Sequence, residues 1–122
     1  MKQELINEEP LVEVLNGKAS TTSLMFSTVF EIQHNEVLQK IHAVDYSNAF
    51  IDNNFSSVKM VENGVDKEIF YITYDGFSLF LSEFYGRLNK QLVEKYLTEF
   101  EFLSDQLLCL CVNGKQLNET IH

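Results

Sequence analysis

The sequence predicts a single α+β domain built from β-hairpins, a helix-turn-helix and two C-terminal helices. Three observations carry that reading. Asn-Gly occurs three times, in VLNGKA, VENGVD and CVNGKQ, each beside a β-prone or apolar run, and Asn-Gly readily takes the positive φ angles of a tight hairpin. The segment FEIQHNEVLQKI follows a short apolar run headed by hydroxyl side chains and reads as the second half of a helix-turn-helix. Two later segments rich in Phe and Leu supply core surface. With 122 residues, ten Phe and five Tyr, one domain can bury enough apolar area to fold alone or as a small oligomer.

The elements follow in order. Residues 1–10 read as a flexible N-terminal segment, 11–103 as the folded domain and 104–122 as a C-terminal extension. The first Asn-Gly joins LVEVL to KAST. Thr21, Thr22 and Ser23 offer hydroxyls suited to capping a helix start, and SLMFSTVF then gives about two turns of apolar surface. After a break at Glu31 to Gln33, the segment HNEVLQKIHAV sets Val37, Leu38 and Ile41 on an inward face. Its other face carries Asn35 and Gln39 one turn apart. Glu36 and Lys40 stand at i, i+4 with the acid first, the order expected of a weak surface ion pair. The second Asn-Gly joins FSSVKMVE to DKEIFYIT, where Ile69 to Ile72 is apolar on both faces, as in a strand packed against helices. Thr73 is placed to cap YDGFSLFLSEF. The last helix, from about Lys90, carries Leu92, Val93, Tyr96, Leu97, Phe100, Leu103 and Leu107 at helical spacing, with Phe102 off the stripe. That stripe suits a compact core or a dimer seam. The third Asn-Gly, after LLCLCV, fits either a hairpin or the end of the last helix.

Charge and chemistry narrow the function. The formal charge is -9, and residues 20–103 alone hold six basic against twelve acidic side chains. The body itself is acidic, which discourages non-specific adhesion to nucleic acid or anionic lipid and favours basic protein partners. The N-terminus has no apolar signal region and no later run is long enough for a membrane span, so a cytoplasmic protein is expected. Cys109 and Cys111 are too close for an ordinary disulfide and too few for a zinc site; they read as buried free thiols. His34 and His42, eight residues apart on one helix, are out of register for a shared metal. No phosphate-binding, dinucleotide, zinc-protease or nucleophile-elbow motif occurs. The sequence therefore predicts no catalytic residue, no metal and no cofactor.

The order and spacing of these segments resemble one family, the phage regulatory proteins called Rha. The resemblance runs from about Pro10 to Leu103, through PLVEVLNGKASTTSL, FEIQHNEVLQKI, NFSSVKMVENGVDKEIFYITYDGFSLFLSEFYG and KYLTEFEFL. Its most specific pieces are the Asn-Gly-Lys hairpin leading into Thr21, Thr22 and Ser23, the pattern at Phe30, His34, Val37, Leu38 and Ile41, and Thr73, Asp75, Gly76 and Phe77. The resemblance implies a phage or prophage regulator in the bacterial host cytoplasm, with a winged-helix-like DNA-binding unit. His34 to Val44 would then be the recognition helix and the Asn63-Gly64 hairpin the wing. Three places where the family tends to be basic here hold Ile32, Tyr74, and Arg87 followed by Leu88. A duplex binder draws affinity from neutralised phosphates, so DNA contact is expected to be weak.

Two functions from different classes follow. The first is a non-enzymatic regulator controlling phage or host gene expression, by weak contact with duplex DNA or by holding another bacterial or phage regulator, with a possible homodimer matching paired half-sites. It expects Asn35, Gln39, Lys40, Lys67, Arg87 and Lys90 to gather on one surface. The alternative is an acidic phage inhibitor, anti-CRISPR-like, that mimics DNA and blocks a nucleic-acid-binding host defence complex. It expects Glu62, Asp66, Glu68, Glu94, Glu99 and Glu101 to gather instead.

Overall fold

A computed structural model describes residues 10–84 and 86–121, with side chains described as far as Cys109. The segment 1–10, expected to be flexible, lies outside the described residues except for Pro10. The described residues form five α-helices and a four-stranded antiparallel sheet: β1 (Glu13–Leu15), β2 (Lys18–Thr22), α1 (Ser23–Phe30), α2 (His34–Ala43), α3 (Asn48–Asn54), β3 (Phe55–Glu62), β4 (Val65–Thr73), α4 (Tyr74–Phe80), a 3-10 turn (Leu81–Phe84) and α5 (Lys90–Ile121). The predicted α+β class holds.

Both predicted hairpins form for the stated reason. Asn16 and Gly17 have φ of 53° and 79°, and Asn63 and Gly64 have 54° and 77°, the paired left-handed turn that matches strand twist. Strand order is β1-β2-β4-β3. Strand β2 meets β4 through Ser20 to Thr22 against Thr73 to Tyr71, so the strand before α1 lies beside the long β3–β4 hairpin. This hairpin is buried only at its root. Phe55 is 5% exposed, whereas Val61 and Val65 near the tip are 71% and 65% exposed.

The caps follow the sequence. Thr22 accepts a hydrogen bond from the Met25 amide at the start of α1, and Thr73 accepts one from the Gly76 amide at the start of α4. Glu31, in the left-handed region, ends α1 and turns the chain into α2. Gly76 has a packing reason of its own: a Cβ there would meet the Asn54 carbonyl oxygen at 3.0 Å and the Ile72 Cγ2 at 3.2 Å. The Gly of the Thr-Tyr-Asp-Gly-Phe segment thus lets α4 close on the end of α3.

Rings from four elements build the core. Phe26 of α1, Phe77 and Phe80 of α4, Phe84, and Tyr96 and Phe100 of α5 are all at most 1% exposed. Phe26 alone lies 4.8 to 6.0 Å, centroid to centroid, from Phe30, Phe77, Phe80 and Phe84, within the range where tilted aromatic pairs add to area burial. The Tyr96 hydroxyl is satisfied by Thr21 Oγ1 at 2.7 Å, and burial pushes its pKa well above the usual phenol value.

Three expectations change. The short helix α3 was not anticipated; Ser47 caps it through the Phe50 amide, but seven residues with no charged pair leave little periodic signal. The third Asn-Gly makes no hairpin, because α5 runs unbroken from Lys90 to Ile121 and passes the 103/104 boundary without a turn. Cys109 is exposed, not buried, since it faces away from the stripe that α5 sets against the core; the Cys111 side chain lies outside the described residues.

Candidate nucleic-acid interface

Helix α2 is held on one side and free on the other. Val37 and Ile41 are 0% and 5% exposed, and Leu38 packs against the same core. On the outer face Asn35 and Gln39 are exposed, and with Gln33, Glu36, Lys40 and Ala43 they line a shallow cleft. The amides at i, i+4 therefore stand on solvent, as their spacing predicts.

Both ends of α2 are tied to strand β4. His34 Nε2 lies 2.8 Å from Ser23 Oγ, which also accepts the Phe70 amide at 3.0 Å. The Ser23 hydroxyl donates to His34 when Nε2 is unprotonated and accepts from it when Nε2 carries the proton. Burial, with the Lys67 charge second, pulls the His34 pKa below its ordinary value. At the other end His42 Nε2 lies 3.0 Å from Glu68 Oε1, and the Ser57 hydroxyl donates to Glu68 Oε2 at 2.8 Å. The bond from His42, then that from Ser57, holds the Glu68 carboxyl below its usual range. The helix and hairpin are thus tied to each other at His42 and Glu68 and, through Ser23, at His34 and Phe70.

The His34 tie makes a pH prediction. A histidine with a lowered folded pKa leaves the unfolded chain binding more protons, so stability is full above the ordinary histidine value of 6.5 and falls as pH drops through the lowered value. Denaturant midpoints of the wild type are expected to decline with pH in that window. His34→Gln should flatten the decline; an unchanged slope would remove His34 as its source.

The basic residues converge only in part. Lys40 Nζ and the Arg87 guanidinium sit 5.7 and 5.6 Å from the centroid of the same Phe84 ring, in range of a cation–π attraction. Asn35, Gln39, Lys40 and Arg87 therefore share one surface. Lys90 lines the adjoining cleft, which Phe84 also borders. Lys67 stands on the hairpin and pairs with Glu62 at 3.6 Å. The expected Glu36–Lys40 pair is replaced: Glu36 Oε2 takes a short hydrogen bond from Arg87 Nη1. That bond lowers the Glu36 pKa and raises that of Arg87.

The acidic set is divided between two elements. Glu62, Asp66 and Glu68 are on the hairpin, while Glu94, Glu99 and Glu101 are on α5. Glu99 accepts the Leu11 amide at 3.0 Å and Glu101 accepts the Tyr74 hydroxyl at 3.2 Å. With Glu68 held by His42 and Ser57, three of the six are engaged in joining parts of the scaffold. Among the described residues no cluster of three or more His, Cys, Asp or Glu is arranged to hold a metal, and no helix is long and apolar enough to cross a membrane.

The sequence reading missed Ser23 as the bridge between α2 and β4, Glu36 as the partner of Arg87, and Phe84 as the platform under two cations. The hydroxyl triplet was a signal for the first. The Glu36–Arg87 pair joins residues 51 positions apart, and Lys40 reaches Phe84 from a distant part of the chain, for which one sequence holds no local pattern.

These features define a class: a small α+β domain that sets an amide-bearing helix beside a projecting hairpin. The family model of phage regulatory protein Rha matches residues 21–105, from the end of β2 to the middle of α5. The chain belongs to that family, and its role is that of a phage regulatory protein. No curated protein and no solved structure matches the chain.

Proposed function

We propose that the protein regulates phage or host genes by placing α2 against duplex DNA, with the β3–β4 hairpin beside it as a wing. The observation that carries this reading is the free face of α2: Asn35 and Gln39 one turn apart, exposed, next to Lys40. Amide side chains can bond adenine in the major groove through N6 and N7. The sheet order is compatible with a winged helix, in which the strand before the helix pair lies beside the wing hairpin. The basic complement is small and partly neutralised within the molecule, by Glu36 on Arg87 and Glu62 on Lys67. Affinity is therefore low and only shallowly dependent on salt, and selectivity rests on α2.

Selection from a random duplex library at low salt tests this. The wild type is expected to enrich a short adenine-containing motif. Asn35→Ala with Gln39→Ala should retain weak duplex binding but lose the motif, since each bidentate amide contact is worth about 1–3 kcal/mol of discrimination. If no duplex is retained at low salt, the DNA reading fails, and nuclease-resistant capture of a host or phage protein would favour a protein contact in its place.

A further inference from the structure

The stripe that seats α5 in the core continues past the core. Tyr96, Phe100 and Leu103 follow a 4–3 spacing, and Tyr96 and Phe100 are fully buried by the domain. The same spacing runs on through Leu107, Leu110, Gly114, Leu117 and Ile121, all within the single helix Lys90–Ile121. At 1.5 Å per residue, 32 helical residues span about 48 Å, where a small domain is about 30 Å across. Among the described side chains of α5, Ser104, Leu107 and Leu108 border a cleft of the domain. A sustained 3.5-residue repeat is the pattern of a helix that winds on another helix.

We propose that this C-terminal part of α5 pairs with the same segment of a second copy of the chain, in a two-stranded coiled coil. Charge selects the occupant. If Leu107 and Leu110 are taken as a and d, the flanking g positions are Gln106, Asn113 and Thr120, and the flanking e positions are Ser104, Cys111 and Asn118. None is charged. The charged residues Asp105, Lys115 and Glu119 fall at the outer b and f positions. Two chains of charge -9 meet there without like-charge repulsion across the seam. A basic partner, which the rest of the surface would attract, finds no acid beside it. The e and g positions are where a heteromeric partner is usually specified by charge, and this seam lacks that code. The inference does not rest on the DNA reading.

Gly114 leaves one layer of the seam without a side chain, so the dimer is weak and depends on concentration. Sedimentation equilibrium of the full chain over a roughly hundredfold concentration range should show the mass rising from 14.1 kDa towards twice that value. Leu110→Glu with Leu117→Glu should stay monomeric throughout while keeping the wild-type near-ultraviolet circular dichroism, which reports the aromatic core. Gly114→Leu should move the midpoint at least tenfold lower in concentration. A wild type that is monomeric across the range, or a double Glu variant that dimerises as the wild type does, overturns the proposal.

Discussion

Phe26→Ala is expected to remove a large share of the protein's stability. Phe26 is 0% exposed and its ring touches the rings of α1, α4 and the 3-10 turn together. Removing it opens a cavity where three elements meet, and a site ringed by large flat side chains cannot collapse around the gap. Buried Phe→Ala changes cost about 3–5 kcal/mol, against total stabilities of about 5–15 kcal/mol for domains in general. The melting temperature should fall by roughly 10–20 °C. Leu79→Ala on α4, the helix whose Phe77 and Phe80 pack against Phe26, removes a side chain that is 43% exposed; it is the control and should shift the melting temperature far less. Thermal unfolding followed by circular dichroism reads both. If the two variants melt together, α4 does not dock on α1 as described.

The contrast between these positions shows what a single sequence can and cannot reveal. Hairpins at Asn16-Gly17 and Asn63-Gly64, and caps at Thr22 and Thr73, were legible because their causes are local: positive φ and a hydroxyl three residues before an amide. The same Asn-Gly signal misled in the last helix, where the i, i+4 ladder and a continuing apolar repeat outweigh the turn preference of two residues. Helix α3 was hidden because its seven residues show too little periodicity to separate them from a loop. In the site, the outward placement of Asn35 and Gln39 followed from helical spacing. The pairing of Glu36 did not. It was assigned to Lys40, one turn away, yet the fold brings Arg87 across from the far side of Phe84. Ile32 marks the same divide: it stands in the break between the two helices, yet it is buried at 7% exposure and packs into the core.

Lys40→Glu and Glu36→Gln are expected to move duplex affinity in opposite directions. Lys40 is half-buried over Phe84, which limits its freedom and points its charge along the Asn35–Gln39 face. A phosphate contact contributes a salt slope of about -0.9 and close to tenfold in affinity near 0.1 M salt. Reversing Lys40 removes such a contact and adds repulsion, so a loss of more than tenfold is expected, with a shallower salt dependence. Glu36→Gln acts through Arg87. The Glu36 carboxylate now neutralises the guanidinium, and an amide in its place leaves that cation free for phosphate while removing one negative charge from the same face. Affinity should rise several-fold, and the slope of log K against log salt should steepen by about one. Fluorescence anisotropy of a labelled duplex, read at several salt concentrations, measures both quantities. Opposite changes would show that charge on this surface is a restraint on DNA contact set by Glu36. Equal affinities for both variants and wild type would place any duplex contact elsewhere on the molecule, and α2 would then have to be read as a face for protein.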